Sequence, residues 1–161
     1  MPTPIVIAGT TYQYPVPGES PNWGEEATAA IVAIAEALNT LLAPGDILTT
    51  EFALDNNISV PTNINGLLFD SGTTRAANVS YSIYRTSDTT PAGNVETGTI
   101  LLTFDDSAAS GQKWQMTQVK NGGAGVDLSI GDNGQLQYIS TDIGAVGYSG
   151  VIKFSAKTLS K

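Results

Sequence analysis

Two clusters of side-chain oxygens are the first places to look for chemistry, Asp105-Asp106 and Asp132-Asn133-Gly134. A hard cation such as Ca²⁺ takes roughly six to eight oxygen ligands, and acids grouped in a turn are where one would sit. Neither cluster has the spacing of a full calcium loop. Asp and Asn are also the ordinary residues of hairpin turns, which is the competing reading of both. The 15 acids could supply the carboxylate pair that a glycosidase sets across a cleft, but a count alone designates none. Gly122-Gly123-Ala124-Gly125 has the glycine density of a phosphate cradle, yet no helix follows to lend its N-terminus. Trp114, Tyr138 and Tyr148 are candidates for a sugar-stacking platform, although aromatic residues on strands also belong in cores.

The chain contains no Cys and no His. Disulfides, thiolate nucleophiles, Ser-His-Asp triads and zinc or copper sites built on those ligands are therefore excluded. With no recognisable carboxylate or phosphate constellation either, the sequence predicts a protein that is not an enzyme, with no catalytic or metal-binding residue to assign and no cofactor. Seven Lys and Arg against 15 Asp and Glu give a net charge of −8, which disfavours nucleic acid and anionic membrane surfaces as partners. Only 14% of residues are charged while 41% are hydrophobic, so the surface must be made largely of neutral polar side chains. Residues 1–9 lack a basic start, and the apolar stretch 27–43 is interrupted by Glu36 and Asn39. No cleaved signal and no membrane span are expected.

Three segments must position whatever function there is. Residues 1–21 carry Pro2, Pro4, Pro15, Pro17 and Pro21 around the apolar patches Ile5-Val6-Ile7 and Tyr12–Val16. Proline fixes φ and removes backbone donors, which predicts an extended arm whose apolar residues need a partner. Residues 22–43 read as the one helix. Asn22 serves as N-cap with Glu25 three residues on, and Pro44-Gly45 ends the run. Ile31, Ile34, Leu38 and Leu41 alternate spacings of three and four, an a/d seam of about two heptads. Two arrangements would bury it: three copies around an axis, or the helix packed on its own β domain.

Residues 46–161 alternate short β-rich runs with turn clusters, the rhythm of an antiparallel β-sandwich or jelly-roll-like domain. Period-two alternation puts Val79, Tyr81 and Ile83 on one face, and likewise Ile152, Phe154 and Ala156, then Ile100, Leu102 and Phe104, then Trp114 and Met116. Asn65-Gly66, Asn121-Gly122 and Asn133-Gly134 are predicted hairpin turns. The last should join Val126–Ile130 to Gln135–Ser140. The fold class is thus mainly β, with an arm and a single helix.

The run Thr10-Thr11-Tyr12-Gln13-Tyr14-Pro15-Val16-Pro17-Gly18, followed by Asn22-Trp23-Gly24-Glu25-Glu26-Ala27-Thr28, resembles the start of tailed-bacteriophage fibre and virion appendage proteins. Residues 75–85, Glu96-Thr97-Gly98-Thr99, Gly123-Ala124-Gly125-Val126, 134–141 and 147–154 are similar to a C-terminal β domain repeated among such proteins. The resemblance implies a homotrimer on the virion surface, assembled in the host cytoplasm. It also implies anchoring to capsid or tail proteins through the arm, for which Ile5, Val6, Ile7, Tyr12 and Tyr14 are the candidates, and a trimer seam of Ile31, Ile34, Leu38 and Leu41. A helix leading almost directly into the β domain, without a long shaft, points to a head fibre or capsid decoration protein before a short, receptor-binding tail fibre. The third alternative is a carbohydrate-binding or carbohydrate-active appendage domain, with host-surface glycan as a further partner.

Overall fold

The computed structural model describes residues 3–7, 10–14, 23–41 and 45–161. The chain divides into two compact units, Met1–Ala43 and Pro44–Lys161.

In the first unit, β1 (Thr3–Ile7) and β2 (Thr10–Tyr14) pair antiparallel, with Thr3 opposite Tyr14 and Ile7 opposite Thr10. The apolar patches of the arm thus become two strands that satisfy one backbone edge of each other. Helix α1 spans Trp23–Leu41. Its N-cap candidate Asn22 lies outside the described residues, as do the side chains of β1 and β2. Among the described side chains of α1 the half-buried positions are the alanines Ala27, Ala30, Ala33 and Ala37, while Ile31, Val32, Ile34 and Leu38 are exposed.

The second unit is an antiparallel sandwich of eight strands, β3 (Ile47–Ala53), β4 (Ile58–Leu68), β5 (Thr74–Ser87), β6 (Thr90–Phe104), β7 (Trp114–Gly122), β8 (Val126–Ile130), β9 (Gln135–Ser140) and β10 (Ser149–Ser160). One sheet runs β3-β10-β5-β6-β7 and the other β4-β9-β8. Between them lies a core to which the predicted inward residues contribute as expected: Val79, Tyr81, Ile83, Ile100, Leu102, Phe104, Trp114, Ile152, Phe154 and Ala156 are all buried. Trp114 packs on Phe104 and Phe69 with ring centroids 5.0 and 6.2 Å apart.

Of the three Asn-Gly dipeptides, one closes a hairpin. β8 and β9 pair with Ile130 opposite Leu136, and the loop between them is tied by Gly134 N–H donating to the Gly131 carbonyl at 2.9 Å. Asn65-Gly66 instead forms a bulge inside β4, where the pairing with β9 shifts register between Asn63 and Leu68. The Gln135 amide nitrogen lies 2.9 and 3.0 Å from the Ile64 and Leu67 carbonyls that the bulge frees. Asn121-Gly122 ends β7, from which the chain crosses to the other sheet. The left-handed φ that these dipeptides favour serves bulges and corners as well as turns. The longest hairpin, β5–β6, turns at Asp88-Thr89 with neither residue at positive φ. Its turn is held from outside, by Thr89 Oγ1 and the Ser87 hydroxyl donating to the Ile143 carbonyl and by Asp88 N–H donating to Val146.

Gly134 has φ +81°, and a Cβ there would run into the Phe69 carbonyl oxygen. Gly134→Ala is therefore expected to lose about 1–3 kcal/mol of stability through backbone strain, read as a lowered urea midpoint.

Candidate functional site

Three features carry polar chemistry or unpartnered surface: a buried charged cluster in the sandwich, the outer face of the five-stranded sheet, and the apolar side of α1.

The cluster is built on Arg85, which is fully buried. Its Nη1 donates to the carbonyls of Ala124 and Gly125 at 2.8 and 3.0 Å, and its Nη2 to Asn56 Oδ1 and the Thr141 carbonyl at 2.9 and 2.6 Å. Nε reaches the Tyr148 hydroxyl at 3.2 Å, and that hydroxyl donates to the Leu54 carbonyl at 2.8 Å. The guanidinium is thus held by neutral dipoles from three separate connections. Asn56 extends the network by donating to Asp142 Oδ1 at 2.8 Å, and the Gly144 N–H joins it there. Those two donors hold the Asp142 carboxyl below the usual carboxylate range.

Glu96 is the buried anion of the same region. It accepts from the Tyr81 hydroxyl at 2.9 Å, from Lys120 Nζ at 3.2 Å and from the Ala124 N–H at 3.2 Å. The peptide groups of Ala124 therefore join the two charges, its N–H facing Glu96 and its carbonyl facing Arg85. Burial pushes the Tyr81 phenol up to about 12, with the Glu96 charge adding to the shift and the Gln118 hydrogen bond opposing it. A phenol that keeps its proton more tightly when folded contributes stability that is complete below pH 10 and is lost as pH rises through about 12. Ultraviolet titration should show one of the six tyrosines ionising last, and stability falling in that window.

The candidates read from the sequence separate clearly. Asp105 and Asp132 are turn acids. Asp105 Oδ1 accepts from the Ser107 N–H and hydroxyl at 2.9 and 2.6 Å, and Asp132 Oδ2 accepts from the Ser110 hydroxyl and the Gly111 N–H. These donors lower both carboxyl pKa values. Among the described residues no group of three or more acids is placed to hold a metal ion. Trp114 and Tyr138 are buried in the core, and Tyr148 is engaged with Arg85, so the three form no platform. Gly122–Gly125 leads into β8, and the carbonyls of Ala124 and Gly125 receive Arg85. No helix among the described residues is long and apolar enough to cross a membrane.

Of the interaction candidates, Ile5, Val6 and Ile7 lie on β1 and Tyr12 and Tyr14 on β2, with Ile5 opposite Tyr12. Ile31, Ile34 and Leu38 are 66, 46 and 56% exposed. The side chain of Leu41 lies outside the described residues. On the sandwich, the outer face of the five-stranded sheet has a shallow depression lined by Thr49, Ser80, Ser82, Lys153 and Ser155, with Lys153 paired to Glu51 at 3.1 Å.

No protein-family model matches the chain, and no curated protein matches it. Among solved structures it is similar to the tailspike protein of Acinetobacter phage vB_ApiP_P1, at 12% identity and a TM-score of 0.43, over 69% of this chain and 22% of that one. It is also similar to the tailspike protein gp49 of the Acinetobacter baumannii bacteriophage Fri1, a capsular polysaccharide depolymerase, at 16% identity and a TM-score of 0.35, over 70% of this chain and 18% of that one. The structural neighbours are phage tailspikes. The chain spans about a fifth of their length. One of them being a depolymerase corrects the expectation that the chain is not an enzyme. The physical reason is that glycoside chemistry runs on carboxylates, so a chain without His or Cys is not thereby excluded from catalysis.

Proposed function

We propose that the chain is a subunit of a homotrimeric bacteriophage virion appendage, a head fibre or capsid decoration protein. In this reading residues 1–21 anchor it to the particle, residues 22–43 form the seam and residues 46–161 form the β domain. The observation that carries this reading is the apolar seam of α1. Ile31, Ile34 and Leu38 keep a/d spacing and remain about half exposed or more, an arrangement that other copies of the same helix would cover. The arm resemblance supplies the phage context. Anchoring would use Ile5, Val6 and Ile7 by strand addition and Tyr12 and Tyr14 by burial in the receiving surface.

Removing residues 1–21 should abolish decoration of particles and leave the unfolding transition of the sandwich unchanged. Full occupancy by the truncated chain, counted on particles by microscopy, would refute the anchoring role. A second reading, a short tail fibre that binds host-surface glycan, is favoured by the hydroxyl-lined depression around Ser80, Ser82 and Ser155. Labelled protein located on capsid or tail separates the two positions, and glycan-array binding tests the ligand.

A further inference from the structure

The two faces of the β5–β6–β7 half-sheet differ in a way that composition alone does not require. Inward residues include the charges Arg85, Glu96 and Lys120, already described. Outward, β6 from Val95 to Thr103 and β7 from Gln115 to Asn121 carry no charged side chain at all, and neither do the outward positions of β5 from Ala76 to Thr86. The charges of this outer surface are confined to the other half of the sheet, where Glu51 pairs with Lys153 and Lys157 pairs with Asp46. Within the uncharged half, Tyr84, Val95, Leu101 and Val119 are 43, 58, 50 and 68% exposed. Tyr84 stands directly opposite Val95, and Val119 lies diagonal to Leu101, whose partner is Thr117. Each pair is close enough to form one apolar spot.

We propose that this uncharged outer face of β5, β6 and β7 is the contact between sandwich domains of neighbouring copies in the trimer. The proposal rests on the trimeric reading above and adds its second interface. Two observations select a copy of this chain as the occupant. A seam of about two heptads falls short of the three to four through which coiled coils sustain themselves, so a trimer needs further contact. Each copy also carries a net charge of −8, so copies repel wherever their charged surfaces meet. The half-sheet is a broad surface that identical copies can press together without desolvating any charge, and charge depletion is the mark of an interface centre. Closure around a threefold axis would let each face meet those of both neighbours.

The absence of Cys makes the test clean. Val119→Cys on the face and Val146→Cys on an exposed loop, 71% accessible, are made separately in the full chain and reacted with a water-soluble maleimide. Light scattering first establishes the mass of the parent: three chains sustain the trimeric reading, and one chain overturns both that reading and this one. In a trimeric parent, Val119→Cys should react at least about tenfold more slowly than Val146→Cys, and the difference should vanish on dissociation by Leu38→Asp. Equal reaction rates in a trimer would overturn the face while leaving the trimer standing. Protection of Val119→Cys that appears only when capsular polysaccharide is added would also overturn it, in favour of a glycan surface. As a second readout, Leu101→Glu with Val119→Glu should raise the trimer dissociation constant by at least about tenfold, while Val60→Glu on β4 should not. Equal effects would refute the assignment.

Discussion

Leu38→Asp is expected to reduce the solution mass from three chains to one. Leu38 is 56% exposed in the single chain, so an aspartate there faces water and costs the isolated protomer little. In a closed seam the same position places three carboxylates beside one another with their hydration stripped away. Desolvation and mutual repulsion then act together, a penalty of about 3–5 kcal/mol or more per trimer. The effect should carry a pH signature. Like charges in a buried cluster raise the carboxyl pKa in the assembled state, so protonation favours assembly: trimer should return as pH falls through that raised pKa, with the charge penalty gone below the ordinary aspartate value of about 4. Light scattering across pH 3–7 reads both features. A parent that is already monomeric, or a variant that stays trimeric and equally stable at neutral pH, would mean that the seam is not closed by other copies.

Most of the sandwich is legible in the sequence because alternation in its strands is strict. The inward sets on β5, β6 and β10 follow from the apolar residues alone. The buried charges obey the same rule, although the apolar pattern by itself does not point to them. Arg85 keeps the odd-numbered register of Val79, Tyr81 and Ile83, and Glu96 keeps the even-numbered register of Ile100, Leu102 and Phe104. Extending each strand by two or four residues puts both inside. Alternation cannot supply the set of acceptors that makes an inward arginine tolerable, since Asn56, Ala124 and Thr141 come from three distant connections. The turns are legible only in part. An Asn-Gly pair specifies a left-handed backbone site, and whether that site becomes a turn, a bulge or a corner depends on the opposing strand. Asp88-Thr89 shows the converse, a hairpin turn with no Asn-Gly pair, closed by hydrogen bonds that it donates to the Ile143 and Val146 carbonyls.

Arg85 is where loss of a side chain should cost the sandwich most. It is fully buried, and no carboxylate lies in ion-pair contact with it among the described residues, so its charge is compensated by oriented carbonyl and amide dipoles. Arg85→Met keeps much of the volume and removes every donor. The carbonyls of Ala124 and Thr141 then lose their guanidinium donor, while the Gly125 carbonyl keeps the Thr141 N–H and the Asn56 amide oxygen keeps the Ile143 N–H. Each unsatisfied buried acceptor costs on the order of 1–3 kcal/mol, partly relieved by relaxation, so the total expected loss is about 3–5 kcal/mol. Arg85→Lys should recover little, because one ammonium cannot reach acceptors set out for the planar guanidinium fork. Asp142 should respond as well, since the Arg85 charge helps to hold its pKa down. In Arg85→Met that pKa should rise toward the ordinary aspartate value, visible by carboxyl NMR titration. Urea unfolding should show a lower midpoint at unchanged slope, and amide exchange should quicken first in residues 141–148. An Arg85→Met chain within about 1 kcal/mol of the parent would show that these acceptors find other donors, and that the three connections are held together by packing rather than by the guanidinium.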